Sequence, residues 1–382
     1  MADVGVPGVE NTAGLTRWIR DNDLPAGAGA DLGAGADLGG GADLTVELIA
    51  GGRSNLTYRL EFRAPGQAVT DGAPARRLVL RRPPLGHVLP TAHDMGREYR
   101  VLSALHGTAV PVPRPVALCP DTEVIGAPFY LMEWVDGTVF RTTEDARVLT
   151  QAQAGQICEE FAGMLATIHG VDVGAVGLDG FGKPEGYMAR QLARWQRQWD
   201  LSVTREIPGY AELVRRLAEG LPAESGPATP GAGGAAGTLV HGDFRIDNML
   251  IRPEPEPAIA AVVDWEMSTL GDPLADLGLS LVYWIEPGEE DLLSRGAGES
   301  VTTGPGFLNR DQIAARYAEL TGRDLSRLDY YMAFGCFKLA VVLEGIHARF
   351  LQHKTVGEGF EREGEVVATL IRRAHELLDA NG

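Results

Sequence analysis

Residues 239–251 read LVHGDFRIDNMLI, and residues 260–266 read AAVVDWE. Each segment joins apolar residues, typical of a buried strand, to a short polar stretch. The pattern therefore predicts Asp243, Asn248 and Asp264 at the ends of short strands. One carboxylate in such a group can orient an attacking hydroxyl and accept its proton, while an amide oxygen and a second carboxylate hold Mg²⁺ on nucleotide phosphates. This arrangement favours phosphoryl transfer.

Length and charge limit the class of protein. The chain has 382 residues, of which 45% are hydrophobic, and a formal net charge of −18. The apolar fraction is that of a globular protein, and the length predicts two or three domains or one large two-lobed unit. Because a surface of this charge repels nucleic-acid phosphates, we expect no nucleic-acid partner.

The sequence also carries no signal for secretion or for a membrane. The first residues have neither a basic nor an apolar region of the kind found in signal peptides, and no apolar run approaches the roughly 20 residues of a membrane span. Three cysteines without paired spacing argue against a disulfide framework or a structural zinc site. We expect a cytoplasmic protein without a membrane partner; its oligomeric state is not readable from the sequence.

The chain divides into three segments by composition and pattern. Residues 1–44 include a Gly/Ala/Asp repeat at 24–43 and are predicted to form a flexible N-terminal segment. Residues 45–133 are predicted as a strand-rich lobe and residues 134–382 as a mostly helical lobe. The fold class is thus α+β, with a small antiparallel β lobe followed by a larger helical one.

The individual elements follow from periodicity and turn residues. Strands are predicted at 45–50, 56–62, 78–80, 124–125 and 129–135. A helix is predicted to begin near Thr91 or Asp94 and to end near Leu105. Apolar residues spaced four, four and three apart predict a helix that ends near Gly170, and further helices are predicted at 187–199, 208–219, 273–284, 310–321, 328–351 and 364–379.

The motif HGDxxxxN, followed by a strand that ends in D-W-E, resembles the aminoglycoside phosphotransferase and choline kinase group, which has a protein-kinase-like fold. Within that group the chain is most similar to the kinase-like domains related to those fused to acyl-CoA dehydrogenases. The resemblance covers about residues 45–350. It implies ATP or GTP and Mg²⁺ as cofactors, and phosphoryl transfer to a hydroxyl of a small molecule.

The resemblance also implies roles for the polar residues of the motif. Asp243 corresponds to the catalytic base, Asn248 and Asp264 to Mg²⁺ ligands. Glu266 is either a further metal ligand or a structural cap or partner. His241 is expected to hold the loop through hydrogen bonds rather than to act as a base.

Residues 271–276, GDPLAD, also resemble the family's sequence. Asp276 resembles the helix-borne aspartate that braces the catalytic loop. Asp272 and Pro273 have the residue types expected at the N-cap and first position of that helix.

The first lobe is expected to bind the nucleotide. In the glycine loop at 51–55, Gly52, Ser54 and Asn55 would lie against the phosphates, although a glycine hairpin is also a common simple turn. Kinases generally place a lysine on the third strand, paired to a glutamate on the next helix; here the resemblance implies Arg81 with Glu98. Arg81 is chosen over Arg82 because Leu78 and Leu80 then face the other side of the strand. The alternative is a surface arginine beside a solvated glutamate.

The segment at 129–137, FYLMEWVDG, resembles the strand and hinge that follow in this family. Met132 would line the adenine site, and backbone groups near Glu133 and Val135 would contact the adenine edge. The same apolar residues also fit a simple core strand, and the two roles are compatible.

Two other functions remain open at this stage. The replacement of lysine by arginine at the third strand is compatible with a nucleotide-binding module without turnover. A metal-hydrolase cluster of His241, Asp243 and Asp264 is the other alternative, although the remaining histidines lack ligand spacing.

From the resemblance we expect the acceptor to be a hydroxyacyl compound, an aminoglycoside or another small alcohol. Aromatic and acidic residues of the helical lobe would suit a cationic acceptor, whereas the subgroup resemblance points to hydroxyacyl compounds, including CoA thioesters. Such an anionic ligand would need a basic pocket, which Arg190, Arg194 and Arg197 would provide. The acceptor-site candidates are Trp195, Trp199, Asp200, Trp284, Glu286, Glu344 and Arg349.

Overall fold

A computed structural model of the chain describes residues 6–22, 24, 43–49, 55–63, 76–85, 94–222, 237–289, 300–352 and 363–380. The chain forms two compact units, Met1–Asp136 and Gly137–Gly382. The boundary predicted from the sequence lies three residues earlier, after residue 133. Gly52 and Ser54 lie outside the described residues, as does the repeat at 25–42.

The first unit is built on a five-stranded antiparallel sheet. Its strands are β1 (Asp43–Leu48), β2 (Leu56–Arg63), β3 (Arg76–Arg82), β4 (Pro115–Cys119) and β5 (Phe129–Glu133), and their spatial order is β1-β2-β3-β5-β4. The predicted glycine hairpin joins neighbouring antiparallel strands, with Leu48 opposite Tyr58. Helix α2 (Met95–Leu105) packs against β4 and β5, and its N-cap is Asp94, whose side chain accepts from the Arg97 N–H at 3.0 Å.

The prediction of a flexible segment over 1–44 is wrong for residues 6–22. Helix α1 (Thr12–Asp21) buries Leu15 and Ile19 in the core of the first unit, together with Tyr58 and other residues of the sheet. The Tyr58 hydroxyl donates to the Pro7 carbonyl at 2.6 Å, which attaches the preceding residues as well. The i, i+4 spacing of the two buried residues gives the helix one apolar face, and its burial stabilises the helix.

The prediction of a strand at 124–125 is also wrong. Residues 122–125 form a turn, and the strand that pairs with β5 on the side away from β3 is β4, which begins at Pro115. Proline lacks an N–H for a sheet ladder, so it is tolerated where only one side of the strand is paired. β4 is the last strand of the sheet, which explains how Pro115 is accommodated.

The second unit is mainly helical. Its long helices are α3 (Gln151–His169), α4 (Tyr187–Ser202), α5 (Tyr210–Glu219), α6 (Pro273–Tyr283), α7 (Arg310–Thr321), α8 (Leu328–Leu351) and α9 (Glu363–Asp379). The apolar stripe predicted on α3 is confirmed, because Ile157, Phe161, Leu165 and Ile168 are all buried. α8 packs against α4, α6 and α9 and forms the centre of the unit.

Four short strands carry the polar loops of this unit. β6 (Thr238–Val240) pairs with β9 (Thr269–Gly271), and β7 (Met249–Arg252) pairs with β8 (Ala258–Val262), both antiparallel. Two loops connect these pairs of strands, one from β6 to β7 and the other from β8 to β9. Each loop therefore runs from one strand pair to the other. The α+β fold with a small sheet and a larger helical part agrees with the prediction.

Helix α8 is the one helix in the described parts of the chain that is long and apolar enough to cross a membrane. Two thirds of its most apolar 18-residue stretch is buried inside the unit. Its close packing against α6 depends on Gly278, where a Cβ atom would lie 2.6 Å from the Tyr331 carbonyl carbon. This helix therefore fits a central core element.

Candidate active site

The loop between β6 and β7 holds the two polar residues of the first motif together. The Asn248 side-chain Nδ2 donates to the Asp243 carbonyl at 2.9 Å and to the Asp243 carboxylate at 3.1 Å. A turn of 3₁₀ helix at Ile246–Asn248 brings Asn248 back toward Asp243. Both bonds use the amide nitrogen, and neither uses the Asn248 Oδ1.

His241 joins the two polar loops and is fully buried. Its Nε2 lies 3.0 Å from the Val263 carbonyl, and its Nδ1 lies 3.3 Å from the Asp243 N–H. A carbonyl only accepts, so Nε2 carries the proton; a backbone N–H only donates, so Nδ1 is unprotonated. His241 is therefore a neutral cross-link with both ring nitrogens in use, as expected for a structural residue rather than a base.

Asp276, in the first turn of α6, braces the same loop. Its Oδ2 accepts from the His241 N–H at 2.7 Å and its Oδ1 from the Gly242 N–H at 2.8 Å. Oδ2 also lies 3.2 Å from His169 Nε2. Burial raises the pKa of Asp276, but the hydrogen bonds from the His169 side chain and from the His241 N–H act in the opposite direction, and the pKa lies below its ordinary value. The carboxylate is thus ionised and holds two consecutive peptide groups.

The start of α6 also agrees with the sequence pattern. The Asp272 side chain accepts from the Leu274 N–H at 3.0 Å as an N-cap, and Pro273 occupies the first helical position. Asp272 accepts a second bond, at 2.8 Å, from the hydroxyl of Tyr331 on α8. The helix that carries Asp276 is therefore anchored at its first residue.

Asp264 has a backbone conformation unlike that of its neighbours. It has φ +67° and ψ 56°, and it is the one non-glycine residue in the described ranges with a positive φ. Such a conformation costs about 1–3 kcal/mol and persists where the surroundings enforce it, typically at functional sites. The next residue enforces it here: Trp265 is buried, and its Nε1 donates to the Val262 carbonyl at 3.0 Å.

The charges around Asp243 are mixed. Burial raises the pKa of Asp243, the Arg245 guanidinium lowers it, and the Asp264 carboxylate raises it again, so that the pKa lies above its ordinary value. The two carboxylates therefore interact across the two loops. A bound cation beside Asp264 would reduce this repulsion.

The oxygen ligands in this region fit Mg²⁺ bound with a nucleotide. Asn248 Oδ1 and the Asp264 carboxylate are hard oxygen donors of the type that Mg²⁺ takes. Within the residues described here, no three His, Cys, Asp or Glu side chains cluster as a metal site. An ion held by two protein oxygens would complete its shell with phosphates and water, which favours the nucleotide-dependent arrangement over a metal hydrolase. Glu266 lies in the 3₁₀ turn Trp265–Met267, and its role as a ligand stays a prediction.

In the first unit, Arg81 and Glu98 form the ion pair that the family resemblance implies, and the paired arginine is the one that strand parity selects. Arg81 Nε lies 3.3 Å from the Glu98 carboxylate, and both side chains are buried. Arg82 faces the other side and donates to the Gly8 carbonyl and, at 3.2 Å, to the Ile125 carbonyl. The alternation of the strand thus gives the neighbouring arginines separate tasks, and Arg81 takes the lysine position.

The structure also describes the positions of the other residues predicted to contact the nucleotide. Asn55 is buried at the start of β2, and Met132 is buried in β5. Glu133 ends that strand and pairs with Arg114 at 2.5 Å, and Val135 follows it partly exposed. Their contacts with a nucleotide stay predictions.

Three of the acceptor candidates have structural partners. The Trp284 Nε1 donates to the Leu308 carbonyl at 2.9 Å, and Glu286 accepts from the Arg310 N–H at 2.7 Å. Glu344 is fully buried and accepts from the Thr204 N–H at 2.9 Å and from Arg205. These contacts account for the three side chains without a substrate.

The remaining candidates lie on α4 or near the end of α8. Trp199 stacks on Tyr210 with ring centroids 4.0 Å apart, and Trp195 is buried beside α8. Asp200 and Arg349 are exposed. The three arginines of α4 are exposed and spaced i, i+4 and i+7, which places them on one face: Arg190, Arg194 and Arg197.

Sequence reasoning missed two cations near Asp243. Arg245, two residues further along, lies over the Tyr283 ring at 4.9 Å and pairs with Asp247. Its place inside the motif was a signal that could have been used. Lys338 of α8 donates to the Gly242 carbonyl at 2.7 Å. That contact joins residues 96 positions apart, and its only sequence signal is a charged residue within an apolar helix.

Comparison with sequence models of protein families shows which family the chain belongs to. The sequence model of the phosphotransferase enzyme family that includes the aminoglycoside phosphotransferases matches residues 45–309. The chain belongs to this family. The match spans both polar loops and the Arg81–Glu98 pair, and it confirms the resemblance drawn from HGDxxxxN and D-W-E.

Two curated relatives show the extent of the likeness. The chain is 34% identical over 340 residues to acyl-CoA dehydrogenase family member 11 of Gallus gallus. The match covers 87% of this chain and 40% of the relative. It is 33% identical over 332 residues to the probable acyl-CoA dehydrogenase IBR3 of Arabidopsis thaliana. This match covers 85% of the chain and 38% of that protein. The chain thus spans about two fifths of the length of either relative.

Solved structures show the same fold. A candidate aminoglycoside phosphotransferase from Ralstonia eutropha is 32% identical with a TM-score of 0.73, and the match covers 97% of this chain and 98% of that one. A choline kinase from Cryptosporidium parvum matches with a TM-score of 0.60 at 15% identity, over 97% of both chains. Family and fold together support phosphoryl transfer to a small molecule and confirm the kinase-like architecture.

Proposed function

We propose that the chain transfers the γ-phosphoryl group of ATP to a hydroxyl group of a small molecule, with Mg²⁺ as cofactor. The observation that carries this proposal is the coupling of the two polar loops. Asn248 holds Asp243 through two hydrogen bonds, and the Val263 N–H before Asp264 donates to the Asn248 carbonyl at 3.0 Å. A carboxylate base and two oxygen ligands are thereby supplied by one connected group.

The residues of this group have separate tasks in the reaction. Asp243 accepts a hydrogen bond from the acceptor hydroxyl and takes its proton as the oxygen bonds to the γ-phosphorus. The bond from that phosphorus to the β,γ-bridging oxygen breaks, and ADP leaves with the bond electrons. Asn248 and Asp264 would hold Mg²⁺, which neutralises phosphate charge when bound. Positioning of the reactants supplies much of the rate in such reactions.

Residues of the first unit are proposed to contact the nucleotide. Arg81, oriented by Glu98, would contact phosphate oxygens in the bidentate manner open to a guanidinium. Asn55, with Gly52 and Ser54, would lie near the phosphates. The hinge residues Met132, Glu133 and Val135 would contact the base. ATP and GTP both fit this description, and a competition assay with the two nucleotides distinguishes them.

For the acceptor, we propose a hydroxyacyl compound ahead of an aminoglycoside. Two observations support this class. The curated relatives are named acyl-CoA dehydrogenases. The exposed arginines of α4 also offer positive charge on a chain whose net charge is −18, as an anionic acyl carrier requires.

The test is Mg²⁺-dependent turnover against a panel of acceptors. The panel holds 3- and 4-hydroxyacyl compounds with and without CoA, aminoglycosides, choline, ethanolamine, sugars and macrolides. Asp243→Asn and Asp264→Asn should each reduce turnover by at least about 100-fold, while the exposed Asp311→Asn serves as the matched control. Turnover that survives in Asp243→Asn would contradict the proposed base.

The second candidate is a nucleotide-binding module without turnover, which the arginine at position 81 favours. Calorimetry with Mg²⁺-ATP distinguishes it: binding without phosphorylation of any acceptor supports the module. Absence of nucleotide binding would exclude both candidates. We also propose a cytoplasmic location without nucleic-acid or membrane partners, which fractionation and a filter-binding assay would test.

A further inference from the structure

Lys338 is unusual among the basic residues of this chain. Of 34 lysines and arginines only three are lysines, and Lys338 lies within α8, between the buried residues Phe337 and Ala340. Its ammonium donates to the Gly242 carbonyl at 2.7 Å and lies 5.5 Å from the centre of the Trp195 ring. In the described part of the chain it forms no ion pair within 4.0 Å.

A partly buried ammonium with no carboxylate within 4.0 Å in the described residues costs free energy. Burial lowers the pKa of Lys338, although the charges of Asp243 and Asp276 partly offset this. An apolar side chain at this position would avoid the cost of removing a charge from water. The stability of α8 therefore does not explain the lysine, and its contact with Gly242 needs another explanation.

The peptide group that Lys338 contacts is the one that leads into Asp243. The Gly242 carbonyl and the Asp243 N–H belong to one planar unit. The carbonyl accepts from Lys338, and the N–H donates to His241 Nδ1 at 3.3 Å. The preceding peptide is held by Asp276, which accepts from the Gly242 N–H. Two successive peptides are thus bonded at the residue before Asp243.

Gly242 has no side chain that could restrict the orientation of this peptide. Its φ is +83°, and a Cβ atom would lie 2.5 Å from the Met267 carbonyl oxygen, so glycine is required there. Glycine allows a wider range of backbone conformations than other residues. The orientation of Asp243 therefore depends on the groups that bond this peptide, and Lys338 is the charged one that donates to it.

We propose that Lys338 is a positioning residue for phosphoryl transfer, which orients Asp243 by fixing the Gly242–Asp243 peptide. This inference rests on the proposed function, because it assigns Lys338 a role in the same reaction. A cavity of about 20 Å³ adjoins the lysine and is lined in part by Tyr187, Gln191 and Trp195. Lys338→Arg retains a positive charge and N–H donors at this position, so it tests whether a charged donor to the Gly242 carbonyl is what the loop requires.

The experiment compares Lys338→Met, Lys338→Arg and the control Lys183→Met, whose lysine is exposed. Amide hydrogen exchange is measured for peptides that span residues 241–248, relative to peptides of α3. We expect exchange in 241–248 to rise at least about tenfold in Lys338→Met and to stay near wild type in the other two variants. With an identified acceptor, kcat should fall about 10- to 100-fold while the nucleotide KM changes less than about threefold.

Unchanged exchange across 241–248 in a folded Lys338→Met protein overturns the proposal, as does a lower Tm with unchanged kcat. If Lys338→Met does not fold, Lys338→Gln replaces it: a weaker neutral donor should still raise exchange there, and wild-type exchange again overturns the proposal. Exchange needs no acceptor. Failure of the proposed function, seen as absent turnover in the wild type, is therefore distinguishable from failure of this inference.

Discussion

Replacement of Asp276 by asparagine tests the brace beneath the catalytic loop. The carboxylate accepts three hydrogen bonds, from the His241 N–H, the Gly242 N–H and His169 Nε2, and its side chain is fully buried. In asparagine one oxygen becomes an NH₂ group, so that one or two of these donors lose their acceptor. Each buried unsatisfied donor costs about 1–3 kcal/mol, and we expect Asp276→Asn to lose about 3 kcal/mol of unfolding free energy.

The pKa of Asp276 adds a dependence on pH. Because the folded-state pKa lies below the ordinary value of 3.8, the ionised form is favoured in the folded protein. Its contribution to stability is present above the unfolded-state pKa and is lost as pH falls through the folded-state pKa. The stability difference between wild type and Asp276→Asn should therefore be full near pH 7 and shrink below about pH 4.

Urea unfolding followed by tryptophan fluorescence measures both effects, and calorimetry gives the matching Tm. A loss of about 3 kcal/mol corresponds to roughly 6–12 °C for a unit of this size. The exposed Asp311→Asn should change stability by less than about 0.5 kcal/mol. A wild-type midpoint for Asp276→Asn at pH 7, or a difference that stays constant into acid, would refute the assignment of Asp276 as an ionised brace.

Three further substitutions test other parts of the fold. Arg81→Met should lower kcat/KM for the nucleotide about 10- to 100-fold in steady-state assays, because it would remove the proposed contact with phosphate, whereas equal loss in Arg82→Met would contradict the separate roles proposed for the two arginines. Leu15→Ala should cost about 2–5 kcal/mol in denaturant unfolding, since the side chain is fully buried in the first unit; a neutral result would restore the flexible-segment prediction. Gly278→Ala should cost about 1–3 kcal/mol by forcing α6 from α8, whereas Gly163→Ala, whose new Cβ would have no neighbour within 4 Å beyond the adjoining residues and backbone of its own helix, should stabilise α3 by about 0.5–1 kcal/mol. Similar Tm values for these two glycine variants would contradict the packing argument.

The helices of the second unit could be predicted because their apolar residues recur at a helical period. The predicted end of α3 near Gly170 and both predicted ends of α8 agree with the structure. Helix α1 was missed because it has only ten residues beside a conspicuous repeat, and its stability comes from burial against the sheet. β4 was missed because its proline indicates a turn unless the strand is known to lie at an edge.

The predictable part of the site consists of residues close in sequence or tied by a simple rule. Asp243 and Asn248 are five apart, and strand alternation chose Arg81 over Arg82. The tautomer of His241 and the contact from Lys338 depend on which chain segments meet in three dimensions. The partner of His241 Nε2 cannot be identified from residue spacing alone. The same is true of the carbonyl bound by Lys338.

The position of α1 bears on how this protein is shortened or fused. The family match begins at residue 45, so a recombinant fragment designed from it would omit Leu15 and Ile19. Such a fragment would leave Tyr58 and Leu60 uncovered on one face of the sheet and would favour aggregation. A fragment that retains residues 6–22 keeps that face covered.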